Sequence, residues 1–173
     1  MEHQAWLETI FTRMEQFGAE GQDAATFLRR RQTKLGFKQA RSNVGAFWTI
    51  GRKIYLNSYY YSYEKSMDDP RVITLIIHET RHLQQGFFTA LSVYGELDAW
   101  QLEFGIYHRM KGKYPHPAIE ELMSLPLGWD RDVLRQAVKC MQGYSGKGYH
   151  ADLLPLYPIG KEIVYRLYRK IPA

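Results

Sequence analysis

His78-Glu79-Thr80-Arg81-His82 sets two imidazoles four residues apart with a carboxylate directly after the first. On a helix, positions i and i+4 share a face, so both rings can offer a nitrogen to one metal ion. Glu79 then stands where its carboxylate reaches a water on that ion without itself becoming a ligand, which is a general base's position. A bound Zn²⁺ lowers the pKa of its water to roughly 7 and polarises a carbonyl, so the pattern points to metal-assisted hydrolysis of an acyl bond. The apolar run Val72-Ile73-Thr74-Leu75-Ile76-Ile77 just before the motif predicts partial burial of the histidines. Unpaired imidazoles are costly there, and a metal would satisfy them. The alternative is a surface helix that carries two histidines and a glutamate with no ion.

A catalytic zinc takes three protein ligands and keeps one position open. The third must come from the element facing the motif helix. The pattern predicts that helix from Pro70 to about Gly86, a break near Gly86-Phe87-Phe88-Thr89, and a second helix from about Leu91 to Met110. Folded as an antiparallel hairpin about Thr89, the two helices bring Glu96 level with His82, since each lies seven residues from the centre. Gly95 removes a side chain where the helices would approach closely. Asp98, Glu103, His108, His116, His150 and Cys140 are the competing third ligands. A further alternative makes Glu96 an exposed carboxylate paired with Arg81 or Arg109.

The rest of the chain must position this hairpin. Its 173 residues, 45% of them apolar, suffice for one core, and a single domain over 1–173 is expected. Trp6, Ile10, Met14 and Phe17 mark one face of a first helix ending near Gly18. A second helical stretch carries Phe27, Leu28 and Leu35 and closes at Gly36, and residues 44–57 read as a β-hairpin turning at Gly51-Arg52. Asp68-Asp69-Pro70 is a helix start. Helices are expected at Ala118–Ser124, from Asp130, as cap, to Met141, and over Gly160–Lys170, with a loop from Gly143 to Pro158. The lone Cys140 rules out an intramolecular disulfide and a zinc site built mainly from thiolates. With no leader-like start and no apolar run approaching about 20 residues, the expectation is a soluble cytoplasmic protein.

His78-Glu79-Thr80-Arg81-His82 followed by Glu96-Leu97-Asp98-Ala99-Trp100 resembles the active-site hairpin of the zincin metallopeptidases. Within them it is similar to the gluzincin branch, whose third ligand is glutamate. The resemblance covers about 30 of the 173 residues. It implies an α+β, mostly helical domain, with a small sheet (the 44–57 hairpin) packed on the motif helix and an antiparallel helix following. It also implies Zn²⁺ held by His78, His82 and Glu96, with Glu79 as general base and proton shuttle. The implied reaction is hydrolysis of a peptide or protein substrate with no covalent enzyme intermediate. The hairpin would offer an edge strand on which an extended peptide pairs by its main chain; two ordinary core strands are the alternative. Tyr149 and His150, in a glycine-flanked loop, are the candidates for stabilising the oxyanion, against an ordinary loop tyrosine and a solvated histidine. Two positions depart from the family. Arg81 is charged where uncharged residues are usual, so it must reach solvent or an acid such as Asp98. Trp100 stands where thermolysin-like members carry an aspartate that orients a histidine, so another residue or a backbone carbonyl must do this.

The net charge of +5 is unevenly spread. Eight basic residues and no acids lie between Ala24 and Tyr63, leaving a net −3 for the remainder. A nucleic-acid or acidic-partner module using Arg29, Arg30, Arg31, Lys34, Lys38, Arg41, Arg52 and Lys53 is therefore the alternative function, with Phe37, Phe47, Trp48 and Tyr55 interleaved and the motif helix structural or a non-catalytic metal site. A solvated face over a core has the same composition. Glu64–Arg109, by contrast, carries seven acids against four bases.

Overall fold

The structure is a computed structural model that describes residues 3–67, 69–146 and 148–168. In α1 (His3–Glu15), Trp6, Ile10 and Met14 are fully buried, as their spacing predicts. The Trp6 indole N–H donates to Ser66 Oγ at 2.8 Å, so the ring is withdrawn from water without orphaning its donor. Helix α2 (Gly18–Arg30) turns back along α1, and Gly21 permits the approach: a Cβ there would stand 2.0 Å from the Met14 carbonyl oxygen.

The expected extension of this second helix to Gly36 is wrong. It stops at Arg30, Gln32 takes a positive φ of 50°, and Lys34–Lys38 is strand β1. Leu35 follows Leu28 by seven residues, a spacing that fits a helix face, and that coincidence hid a strand whose partner lies far along the chain. β2 (Ala46–Thr49) and β3 (Lys53–Asn57) form the predicted hairpin, and β1 pairs parallel with β3, giving the order β1-β3-β2. Leu35, Ile54 and Leu56 point into the core. Buried Asn57 fixes the loop before β2: its amide donates to the carbonyls of Arg41 (2.9 Å) and Val44 (2.7 Å) and accepts from the Ala40 N–H (3.1 Å).

A four-residue helix α3 (Tyr63–Ser66) leads to the central α4 (Pro70–Gln85), which Asp69 caps by accepting from the Arg71 N–H at 2.8 Å. Asp68 lies outside the described residues. Gly86, at φ 77°, ends α4. The short α5 (Phe87–Ala90) follows, and α6 (Val93–Lys111) starts with the Ser92 hydroxyl accepting from the Gly95 N–H. Contacts descend along α6 as they ascend along α4, because Glu103 meets His78, Asp98 meets Arg81 and Glu96 meets His82. The antiparallel hairpin is therefore present.

Helices α7 (Pro117–Ser124) and α8 (Arg131–Ser145), a 3₁₀ turn (Ala151–Leu153) and α9 (Ile159–Tyr168) complete the chain. Asp130 caps α8 as expected, by accepting from the N–H groups of Asp132 and Val133, but the helix outlasts Met141 by one turn and contains Gly143, which was expected in the loop. The predicted end of the last helix at Lys170 lies outside the described residues. One core gathers α1, α2, the sheet and the inner face of α4, and a second gathers α6, α7, α8 and the turn. The fold is α+β and mostly helical, with a three-stranded sheet on α4. Among the described residues no helix is long and apolar enough to cross a membrane.

Gly95 is needed for a reason that the spacing only half disclosed. A Cβ there would meet the Thr89 carbonyl oxygen at 2.0 Å and Gln85 Oε1 of α4 at 3.1 Å, so the tightest approach is to the connecting segment, with α4 close behind it. Gly95→Ala is expected to destabilise the fold by about 3 kcal/mol, as overpacking against backbone does. A urea denaturation midpoint equal to that of the parent protein would refute the close approach.

Candidate metal centre

α4 and α6 place His78, His82 and Glu96 together. Each offers one ligating atom, and the three atoms lie within 4.8 Å of one another. His78 Nε2 and His82 Nε2 are 3.0 Å apart, and His82 Nε2 is 3.5 Å from Glu96 Oε1. Donors 2.0–2.1 Å from a tetrahedral zinc are separated by about 3.4 Å, and these two edges lie near that spacing.

The other ring nitrogens decide what the pair can hold. The Gln85 amide nitrogen donates to the Gly95 carbonyl (2.9 Å) and to Asp98 Oδ2 (2.7 Å), which turns its oxygen toward His82 Nδ1 at 3.2 Å. His82 Nδ1 is thereby a donor. His78 Nδ1 lies 2.9 Å from Glu103 Oε2, an ion-pair contact in which the N–H is not aimed straight along the line. When each ring carries its proton on Nδ1, toward its acceptor, both Nε2 atoms present lone pairs to each other, and two bare lone pairs 3.0 Å apart repel. One positive centre between them removes that repulsion. A proton can bridge two nitrogens, whereas Glu96 Oε1 on the same side supplies a third donor that suits a metal ion.

The electrostatics agree. Burial opposes charge on His78, but its contact with Glu103 and the charges of Glu79 and Glu96 outweigh it and raise its pKa to about 9. Burial, then the His78 charge, push His82 down to about 4. The pair accommodates one positive charge and not two. Burial raises Glu79 to about 7; the neighbouring Glu96 and Glu103 add to this, while His78 and the Trp48 backbone N–H work against it.

Around this centre the structure sorts the remaining candidates. Arg81 forms a two-point contact with Asp98, Nε to Oδ2 at 2.7 Å and Nη2 to Oδ1 at 3.2 Å. The charged position in the motif is thus met by the acid expected for it, and Asp98 also accepts from the Gln85 amide. Arg109 pairs with Glu20, so Glu96 does not pair with either arginine. Its Oε2 accepts from the Tyr149 hydroxyl and from the Trp100 indole N–H at 3.2 Å. Tyr149 thus touches the candidate ligand itself, and burial with the adjoining Glu96 charge keeps its phenol protonated well above the ordinary range. His150 is exposed on the rim of the same cleft. His116 caps α7 by accepting from the Ala118 N–H, and His108 packs on Tyr114. Cys140 is buried in the second core beside Glu121.

Glu103 and Gln85 are the residues whose parts sequence reasoning missed. Glu103 was weighed as a ligand, but it takes the outer nitrogen of His78, the place of an orienting carboxylate. The signal was its helical alignment with Glu96, Ala99 and Trp100. Gln85 sits three residues after His82, a separation that lets the two side chains meet on a helix. Compared with protein-family models, with curated proteins and with solved structures, the chain has no match.

Cys140 offers a check on this sorting. Its thiol is pushed up to about 11, first by burial and then by Glu121. At pH 8 its thiolate fraction, and so its alkylation by iodoacetamide, should be roughly a hundredfold below that of the unfolded chain. Alkylation at the unfolded rate under native conditions would show the thiol open to solvent.

Proposed function

We propose that the protein is a zinc-dependent metallopeptidase of the zincin type. The observation that carries this is the convergence of two imidazole nitrogens and one carboxylate oxygen, with both outer ring nitrogens facing acceptors. His78, His82 and Glu96 would hold the ion. A zinc ion so held supplies Lewis acidity, which activates water and polarises a substrate carbonyl. Glu79 takes the proton of the attacking water and returns it to the departing amine. A carboxyl raised to about 7 changes protonation state readily at neutral pH, which suits both steps. Tyr149 and Trp100 are positioning residues: by holding Glu96 Oε2 they leave Oε1 toward His82. His150, exposed on the cleft, is the residue available to the substrate.

The sheet supports a peptide as substrate. Gly45 and Thr49 spend their carbonyls on the β3 side, on the N–H groups of Asn57 and Arg52, while the Trp48 N–H faces Glu79. By strand alternation Ala46 and Trp48 therefore direct their main chain to the free edge of β2, beside the motif helix. An extended chain laid there would pair by β-augmentation within reach of Glu79.

The purified protein is expected to bind about one equivalent of zinc, to lose it in His78→Ala and to keep it in Glu79→Gln, where cleavage of a denatured protein substrate falls by about 10²-fold or more. Glu103→Gln should weaken zinc roughly 10–100-fold through the loss of orientation. Parent protein with no zinc affinity by calorimetry would overturn the assignment.

A second reading rests on the basic segment. Arg29 is spent on Glu8 and Glu15, but Lys34 stands directly across from Lys53, and Lys38 Nζ lies 5.8 Å from the Tyr55 ring, on a face with no acidic partner among the described residues. Like charges placed opposite each other are unfavourable without a counter-charge, which an anionic partner would supply. If that partner is nucleic acid, binding of a single-stranded oligonucleotide should fall steeply with salt and be lost on Lys34→Gln with Lys53→Gln; salt-independent binding, or none, counts against it.

A further inference from the structure

The cleft above the candidate centre, about 940 Å³, is polar at both ends with opposite sign. Its inner end is formed by His78, Glu79 and Glu103. Its outer end is formed by the Asn57-pinned loop carrying Arg41, by Arg71 at the start of α4, and by Tyr61 and Tyr144. Arg71, Leu75 and His78 follow one another at i, i+4 and i+7, so they share one face of α4, with the Arg71 and His78 Cα atoms about 10 Å apart along the helix axis. Asp69 spends its carboxylate on the Arg71 main-chain N–H as the helix cap. The guanidinium itself donates to the Tyr144 hydroxyl at 3.0 Å. Among the described residues no carboxylate lies within ion-pair distance of Arg71 or Arg41. Two planar, permanently charged donors therefore face a half-enclosed space, one of them braced by a phenol, with the capping Asp69 the one acid of the described lining at their end and Glu79 and Glu103 at the other.

From this arrangement we infer that the outer end of the cleft is a carboxylate subsite, with Arg71 as its principal donor and Arg41 beside it. The protein would select peptides that carry a carboxylate about three residues from the bond presented to Glu79. Three extended residues span about 10 Å, the same as the axial separation of the Arg71 and His78 Cα atoms. A guanidinium fork binds a carboxylate at two points, which gives direction as well as affinity. The carboxylate can be the chain terminus or an acidic side chain, since both present the same group. The inference rests on the peptidase reading for what the inner end does, but not for the existence of the anion subsite.

The test uses the Glu79→Gln protein and three octapeptides of alanine, serine and leucine bearing a neutral fluorophore at the N-terminus. One ends in a free carboxylate, one in an amide, and one in an amide with an internal glutamate. Fluorescence anisotropy should show the first, the third or both binding at least about tenfold more tightly than the neutral amide, and which of them does so names the source of the carboxylate. Adding Arg71→Met should bring the affinities together, whereas Arg71→Lys, which keeps the charge, retains part of the preference. Equal affinities, no binding of any peptide, or a preference that survives Arg71→Met in protein with the parent's melting profile overturns the subsite. Zinc stoichiometry on the same samples separates the two claims. Carboxylate preference without zinc leaves the subsite standing and removes the hydrolytic reading; zinc without preference does the reverse.

Discussion

Glu79, Glu96 and Glu103 are three carboxylates largely withdrawn from water on the seam between α4 and α6, and the need to neutralise them organises everything around the centre. An ionised carboxylate taken from water costs several kcal/mol even after relaxation unless partners compensate it. Each has its own compensation. Glu103 faces His78, Glu96 receives a phenol and an indole N–H, and Glu79 has the main-chain N–H of a strand and a raised affinity for a proton. None of these partners is local to the acid it serves except Trp100. The sheet must lie on α4 to supply the Trp48 N–H, and the segment after α8 must return to supply Tyr149. The packing of distant elements is thus coupled to charge balance at the centre.

The parts of this arrangement legible in the sequence are those governed by helical geometry over short separations. The five-residue motif, the level placement of Glu96 across the hairpin and the demand that Arg81 find Asp98 all follow from rise per residue, rotation per residue and charge. Leu35 marks the opposite case. Its spacing from Leu28 satisfies a helix, and only pairing with β3, some twenty residues further on, shows that its segment is a strand. The part of Tyr149 was hidden for the same reason. Its loop position was visible, but its hydroxyl is set against a carboxylate 53 residues away, and no local rule carries that information. Glu103 shows an intermediate degree of legibility: its face was readable, and which nitrogen of His78 it would meet was not.

The basic surplus of the chain also takes on a more resolved shape. Arg29 is absorbed by the acids of α1, Lys34 and Lys53 lie across from each other on the sheet, and Arg41 turns away from both toward the cleft. One compositional feature therefore divides into a structural ion pair, a solvated sheet face and a wall of the cleft. Net charge could not distinguish these three destinies, because it contains no direction.

The two hydrophobic cores meet along the line on which the candidate ligands stand. His78 and His82 ride on the helix that seals the first core, whereas Glu96 and its two donors belong to the helix and loop that seal the second. A cation gripped by all three would act as a rivet between halves that are otherwise joined by side-chain packing, the Arg81–Asp98 pair and the bonds of Gln85. By linkage, whatever free energy it contributes to holding the seam shut equals what the seam contributes to holding it. Substitutions deep in either core, far from any donor atom, would then be felt as changes in grip, and the hold on the ion would serve as a gauge of how firmly the two halves are pressed together.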